Sequence, residues 1–201
     1  MKKKFMPSLR MKTILMLVII VSLVASISIV ISYNAYANTM DNHYKTLASN
    51  IANTAASLMD PDSIEKYADT LETDDKYFEM LDSLYEIKKN NDLEYLYIQK
   101  IVAGENGQED KTVYIMDADL LDSDNYEYAS QLGEEYPLSE GVNASDLESG
   151  IPAFISETEE YGWLVSVGEP IIDADGNVEA LVGVDISMND VMQDRYDFLF
   201  L

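Results

Sequence analysis

The chain of 201 residues has no cysteine, one histidine (His43), one tryptophan (Trp163), and no arginine between Arg10 and Arg195. The missing thiols exclude disulfides, thiolate metal sites and cysteine nucleophiles. A lone histidine leaves metal chemistry to carboxylates and provides no imidazole to pair with a buried nucleophile. No G-x-S-x-G elbow, Walker loop or G-x-G-x-x-G occurs, so an enzyme is not expected, nor a cofactor or a metal. A carboxylate pair acting on a glycosidic bond stays open, as does a secreted hydrolase of a glycan or peptide, but no two of the acids stand out for it.

Positive charge is also scarce, with 13 Lys and Arg against 37 Asp and Glu. Five of the 13 (Lys2, Lys3, Lys4, Arg10 and Lys12) precede the first acid, Asp41, so the chain from Tyr33 onward has 8 basic residues against 37 acidic ones, a formal charge of −29. Such a surface repels phosphate, and nucleic acid is not an expected partner.

What is present is strongly segregated. Ile14 to Ser32 is 19 residues without a charge, close to the roughly 20 needed to cross a bilayer as a helix. The basic cluster before it holds the N-terminus in the cytoplasm by the positive-inside bias. The expected layout is therefore a cytoplasmic tail (1–13), a transmembrane helix (14–32), an extracellular domain (33–195) and the start of a second membrane helix (196–201). The alternative is a removed signal peptide, since Ala35-Tyr36-Ala37 fits a small-x-small cleavage site; secretory apolar regions usually run about 7 to 15 residues, shorter than this one.

Beyond the apolar segment, Met40, Tyr44, Leu47, Ile51, Ala55 and Leu58 recur at intervals of three and four. This predicts an amphipathic helix continuous with the membrane helix as far as Met59. Asp60-Pro61 stops it and starts a short helix over Asp62 to Asp69, and Thr73 or Asp74 caps a third that ends near Asn90-Asn91. Leu93 to Val102 and KTVYIMDAD read as a hairpin with Tyr95, Tyr97 and Gln99 on one face. A polar crossover follows from Asp119 to Gly150, with short helical pieces after Asn125 and around Ser145 to Glu148. A short strand over Ile151 to Ser156 precedes the strongest pattern in the chain, Trp163 to Ile172 and Val178 to Ile186. These two apolar runs are joined by Asp175-Gly176-Asn177, residues that tolerate positive φ. Ser187 then caps a terminal helix running to Leu201. Asp117, Asp119, Asp122 and Asp124 suggest calcium, but Leu120-Leu121 interrupts the spacing of an EF-hand loop and a solvated loop is the plainer reading.

The order of elements resembles a bacterial Cache sensor domain over about Tyr33 to Arg195, most specifically in LEYLYIQKI, KTVYIMDAD and YGWLVSVGEPIIDADGNVEALVGVDIS. The resemblance implies an α+β fold in which a PAS-like antiparallel sheet of about five strands packs on the long N-terminal helix. It implies a small-molecule sensor of a membrane receptor of the chemotaxis-transducer, histidine-kinase or diguanylate-cyclase type, with the output module outside this sequence. Homodimerisation through the long helix goes with that reading. Asp185 matches the aspartate that holds the ligand amino group in amino-acid-binding members, whereas the arginine that clamps a carboxylate is missing. Lys100 and Lys111 are the nearby cations, and a small carboxylate, an amine or a cation stays open as ligand.

Asp185 interrupts the apolar run VGVDIS, where a buried strand residue should need no partner. It is expected to face a small polar pocket with Tyr97, Tyr114, Asp117, Ser166 and Lys100. The alternative for Asp185 is a purely structural role, accepting hydrogen bonds from backbone amides of the crossover and holding that loop down. The alternative for the whole chain is a membrane-anchored or secreted domain of the same fold that binds a protein or is structural, its pocket filled by its own side chains.

Overall fold

The computed structural model describes residues 8–104, 109–138, 142–143, 145–159 and 161–199. Lys2, Lys3 and Lys4, the tip of the first hairpin at 105–108, and Phe200 and Leu201 lie outside them. Helix α1 (Leu9–Leu58) is continuous from the apolar segment into the domain. Its apolar part is long and apolar enough to cross a membrane, and none of that part is buried in the protein. Its last turns carry the expected stripe in altered form. Ala48, Ile51, Ala52 and Ala55 are buried, Tyr44 and Leu47 partly so, while Leu58 is exposed and Met59 takes its place inside. Three alanines on one face let the helix axis approach the sheet closely.

Helix α2 (Pro61–Thr70) starts with Pro61 in its first turn. Helix α3 (Asp75–Asn91) is capped by Asp74, whose carboxylate accepts from the Tyr77 amide at 3.0 Å and thereby satisfies one of the orphan donors of the first turn. Tyr77 in turn donates its hydroxyl to the Ile115 carbonyl at 3.1 Å, tying α3 to the sheet.

The sheet is antiparallel and curled, with six strands in the order β3-β2-β1-β6-β5-β4: β1 (Tyr95–Val102), β2 (Lys111–Asp117), β3 (Glu135–Pro137), β4 (Ile151–Thr158), β5 (Gly162–Ile172) and β6 (Val178–Ser187). The sixth strand relative to the expected five is β3. It has three exposed residues and no apolar alternation, and only its pairing with β2 makes it a strand. Between β2 and β3 the crossover forms two 3-10 turns, Ala118–Leu121 and Tyr126–Tyr128, and α4 (Asp146–Ser149) then runs against β1, β5 and β6.

The two faces of the sheet differ sharply. Leu96 and Ile98 on β1, Val165 and Val167 on β5, and Ala180, Val182, Val184 and Ile186 on β6 belong to the core shared with α1, α2 and α3. Because strand side chains alternate, Tyr95, Tyr97, Ser166, Gly168, Gly183 and Asp185 fall on the opposite face. Helix α5 (Asn189–Leu199) follows β6 directly and returns to α1. There an Arg195 Nη donates to the Ala37 carbonyl at 3.0 Å and to the Asp41 carboxylate.

Candidate functional site

The central pairing of the sheet assembles the site. Asp185 on β6 lies across from Tyr95 on β1 and from Ser166 on β5, and Gly183, two residues earlier, lies across from Tyr97 and Gly168. Gly183 is required there. A Cβ at that position would stand 2.1 Å from the Tyr97 ring, so the ring rests on the bare backbone. Held in that place, Tyr97 and Ser166 bring their hydroxyls to the Asp185 carboxylate as hydrogen-bond donors.

Tyr114 and Asp117 reach the same face through an irregularity. Three residues apart in a regular strand, they would point to opposite sides. The pairing of β2 with β1 shifts between Ile98 and Gln99, so that Tyr97 faces Asp117 while Gln99 faces Tyr114, with Ile115 as the extra residue. A bulge of this kind reverses the phase of a strand. The rings of Tyr97 and Tyr114 are consequently 5.3 Å apart, and Tyr136 of β3 closes edge-on against Tyr114 at 5.4 Å. The sequence gives no signal for Tyr136, because it lies in a strand with no pattern of its own. Tyr161 and Tyr95 form a further edge-to-face pair at 5.3 Å.

The carboxylates divide by their partners. Asp117 accepts from the backbone amides of Asp119 and Ser130, both at 2.9 Å. It pins the start of the crossover to a point further along it, the loop-holding role that the sequence offers as an alternative for Asp185. Burial pushes its carboxyl up, and the two amides oppose that shift. Asp119, 1% exposed, is paired with the equally hidden ammonium of Lys88 on α3. Asp122 accepts from the Asp124 amide and the Asn125 side chain. Of the acids that suggested calcium, Asp117 and Asp122 thus serve their own loop and Asp119 ties it to α3, and among the described residues no three acid or histidine side chains converge as a metal site.

Asp185 is 7% exposed. Burial raises its pKa to about 6; the hydroxyls of Ser166 and Tyr97 lower it, and the nearby charge of Glu94 raises it further. Tyr97 is driven well above the usual phenol range by burial and by the charge of Asp185, Tyr114 is raised by burial and by the charges of Asp117 and Asp185, and Tyr95 is pushed up to about 12 by burial and the charge of Glu94. A carboxyl near pH 6 walled by tyrosine rings is a potential well for a cation.

Lys100 does not join the group. It follows Ile98 on the helix-facing side and approaches Glu179 of β6 at 3.9 Å, near Glu65 and Asp69 of α2. The alternation that put it opposite Tyr97 and Gln99 holds, and it outweighs the need for a cation near Asp185. Lys111 pairs with Glu135 at 2.6 Å on the edge of the sheet. Two open clefts, of about 500 and about 300 Å³, lie elsewhere, the first between α1, α5 and β4–β5 and the second beside α3. Neither is lined by Asp185. No family model and no curated protein matches the chain.

Proposed function

We propose that the chain is the extracellular, PAS-like sensor domain of a membrane receptor, anchored by α1, and that it binds a small organic cation at Asp185 without catalysing its conversion. The observation that carries the reading is the difference between Asp185 and the other buried acids: among the described residues it alone sits on a core strand with only neutral hydroxyls for partners. An amine or quaternary ammonium would supply the missing positive charge, beside the rings of Tyr97 and Tyr114; the Tyr95 ring already has the Lys88 ammonium over it at 5.7 Å. A carboxylate ligand is disfavoured, because Lys88 is committed to Asp119 and Lys100 lies on the other face. The contact of α5 with α1 supports the receptor geometry, since it sets the end of the domain beside the end of the apolar segment. Pairing of two copies along α1 would complete the signalling unit.

One observation favours the alternative, a domain of this fold that has a structural or protein-binding role and no small ligand. The Tyr97 ring fills the space above Gly183 and leaves Asp185 almost closed off. Thermal unfolding of the full chain in detergent, screened with amines, quaternary ammonium compounds, small carboxylates, nucleobases and Ca²⁺, separates the two. The sensor reading expects a cation to raise the melting temperature of the wild type and not of Asp185→Asn. If no compound raises it, the pocket is filled by the protein itself and the sensor reading fails.

A further inference from the structure

One ring near Asp185 does not come from the central strands. Tyr161 directly precedes β5, yet its ring meets the Tyr95 ring of β1 edge-on, with centroids 5.3 Å apart. In the sheet β6 lies between β1 and β5, and strands two places apart are about 10 Å from each other. The two rings therefore meet above β6. Tyr95 stands directly across from Asp185 and on the same face, so they meet at the level of Asp185. The Tyr161 phenol is also near enough to Tyr114 of β2 for its charge to raise that group, which carries the ring well in from the edge of the sheet.

The rings of this wall differ in their freedom to move. Tyr97 rests on the bare backbone of Gly183, Tyr114 is held between Tyr97 and Tyr136, and Tyr95 has the Lys88 ammonium over it. Tyr161 is 43% exposed, against 7% for Asp185. A side chain with solvent beside it changes rotamer without disturbing a core. The backbone under that ring, by contrast, is fastened to α5. Asn189, the first residue of α5, donates from Nδ2 to the Tyr161 carbonyl at 3.4 Å and accepts at Oδ1 from the Trp163 amide at 2.8 Å. The Met188 amide donates to the Trp163 carbonyl at 2.8 Å. Between Tyr161 and Trp163, Gly162 has φ +71°, and a Cβ there would run into Asn189 Oδ1. One side-chain amide grips both neighbours because the residue between them is glycine. At its other end α5 is tied to α1 by Arg195.

We propose that the Tyr161 ring is the gate of the Asp185 site, closed against Tyr95 here and swung outward when a cation enters, and that Asn189 is the positioning residue that sets the gate and ties it to α5. The proposal rests on the reading of Asp185 as a cation site and adds the way in. Because Asn189 belongs to α5, gate position and α5 docking are coupled, and such coupling runs in both directions.

The full chain in neutral detergent is melted between pH 4 and 6, with and without tetramethylammonium, as wild type, Tyr161→Phe, Tyr161→Ala and Asn189→Ala, each also carrying Asp185→Asn. The difference within each pair isolates the pH dependence due to Asp185. Glu94, Asp117 and the acids of α4 that packs on β6, Asp146 and Glu148, are common to both members. Without the ring, water reaches Asp185 and its carboxyl returns towards the ordinary value, so Tyr161→Ala is expected to lose most of that dependence. Tyr161→Phe keeps the ring and should keep it. Asn189→Ala alters neither the acid nor the ring, and should lose part of the dependence by letting the ring drift. A dependence that survives in Tyr161→Ala overturns the gate, and a loss of melting temperature in Asn189→Ala that is equal at every pH overturns its positioning role. The two readings fail separately. If the dependence collapses in Tyr161→Ala but no cation stabilises the wild type, the cation reading falls and Tyr161 is the cover of a structural acid. If tetramethylammonium stabilises the wild type and Tyr161→Ala leaves the dependence unaltered, the gate alone falls.

Discussion

Asp119 and Asp185 are both nearly shut off from water, yet the regions around them solve the cost of a buried charge in opposite ways. At the corner where α3 meets the crossover, Asp119 has an ammonium and Asp117 has two backbone amides, so charge is met by charge or by fixed dipoles. At the centre of the sheet's other face, Asp185 has two hydroxyls, and the charge that acts on it is another acid, Glu94. A buried ion is stable only when its partners replace what water supplied. The first region is complete as it stands. The second is complete only when the carboxyl is protonated or when something positive arrives.

The largest effect is expected at the corner. Lys88→Met leaves Asp119 buried without its counter-ion, and the loss is expected to be about 3–5 kcal/mol. Adding Asp119→Leu to that variant should recover most of it, since two apolar side chains need no partner. Unfolding of the three proteins in denaturant checks this; if Lys88→Met alone costs less than about 1 kcal/mol, the pair is not shielded as described and the contrast with Asp185 loses its basis.

At Asp185 the sign reverses. A folded-state pKa of about 6 against an ordinary value of 3.8 means that between those values the native protein holds a proton that the unfolded chain has released. Stability therefore falls as pH rises from about 4 to about 6, by roughly 2–3 kcal/mol in all, and stays low above. Asparagine resembles the protonated acid. Asp185→Asn is expected to be more stable than the wild type at neutral pH by up to that amount, and to lose the slope between pH 4 and 6. Melting temperatures of both proteins across this range test the point, and a variant that is less stable at neutral pH would show that Asp185 has partners like those of Asp117.

Gly183→Ala changes the wall around Asp185 instead of its charge. The new methyl must displace the Tyr97 ring, and overpacking of this kind costs about 1–3 kcal/mol. With Tyr97 moved, one hydroxyl leaves Asp185, so the descending limb of the pH profile should move further up. An unchanged profile would mean that Tyr97 does not act on the carboxyl.

Much of this contrast was legible in the sequence, and its gaps have physical causes. The β5–β6 hairpin was marked by β-branched runs around Asp175-Gly176, the break after α1 by Asp60-Pro61, and Asp185 by its isolation in an apolar strand. Strand β3 was not legible, because three exposed residues owe their conformation to β2 and not to themselves. The bulge at Ile115 was equally silent, although it alone lets Tyr114 and Asp117 share a face. Asp117 was named for the pocket, but its two amide donors come from a turn and from Ser130, thirteen residues away, a closure that no local pattern records. The two acids could be recognised as unusual from sequence; which was already satisfied could not.

The smallest expected effect belongs to Lys100, and it decides how far strand alternation can be relied on at this site. Lys100 is 27% exposed in its side chain and 3.9 Å from Glu179. A pair of that length with one solvated partner contributes at most about 1 kcal/mol. Burial and the neighbouring charge of Glu65 already raise the pKa of Glu179, and Lys100 opposes this. Lys100→Gln should therefore lower stability slightly at neutral pH, and less at acid pH, where Glu179 gains its proton. Because Lys100 is on the helix-facing side of β1, the substitution should leave the pH response of Asp185 and the shift produced by any cationic ligand unchanged. Thermal unfolding of Lys100→Gln with and without that ligand measures both quantities. A ligand shift that disappears with Lys100 would place its ammonium beside Asp185, and would return a carboxylate to the candidate ligands.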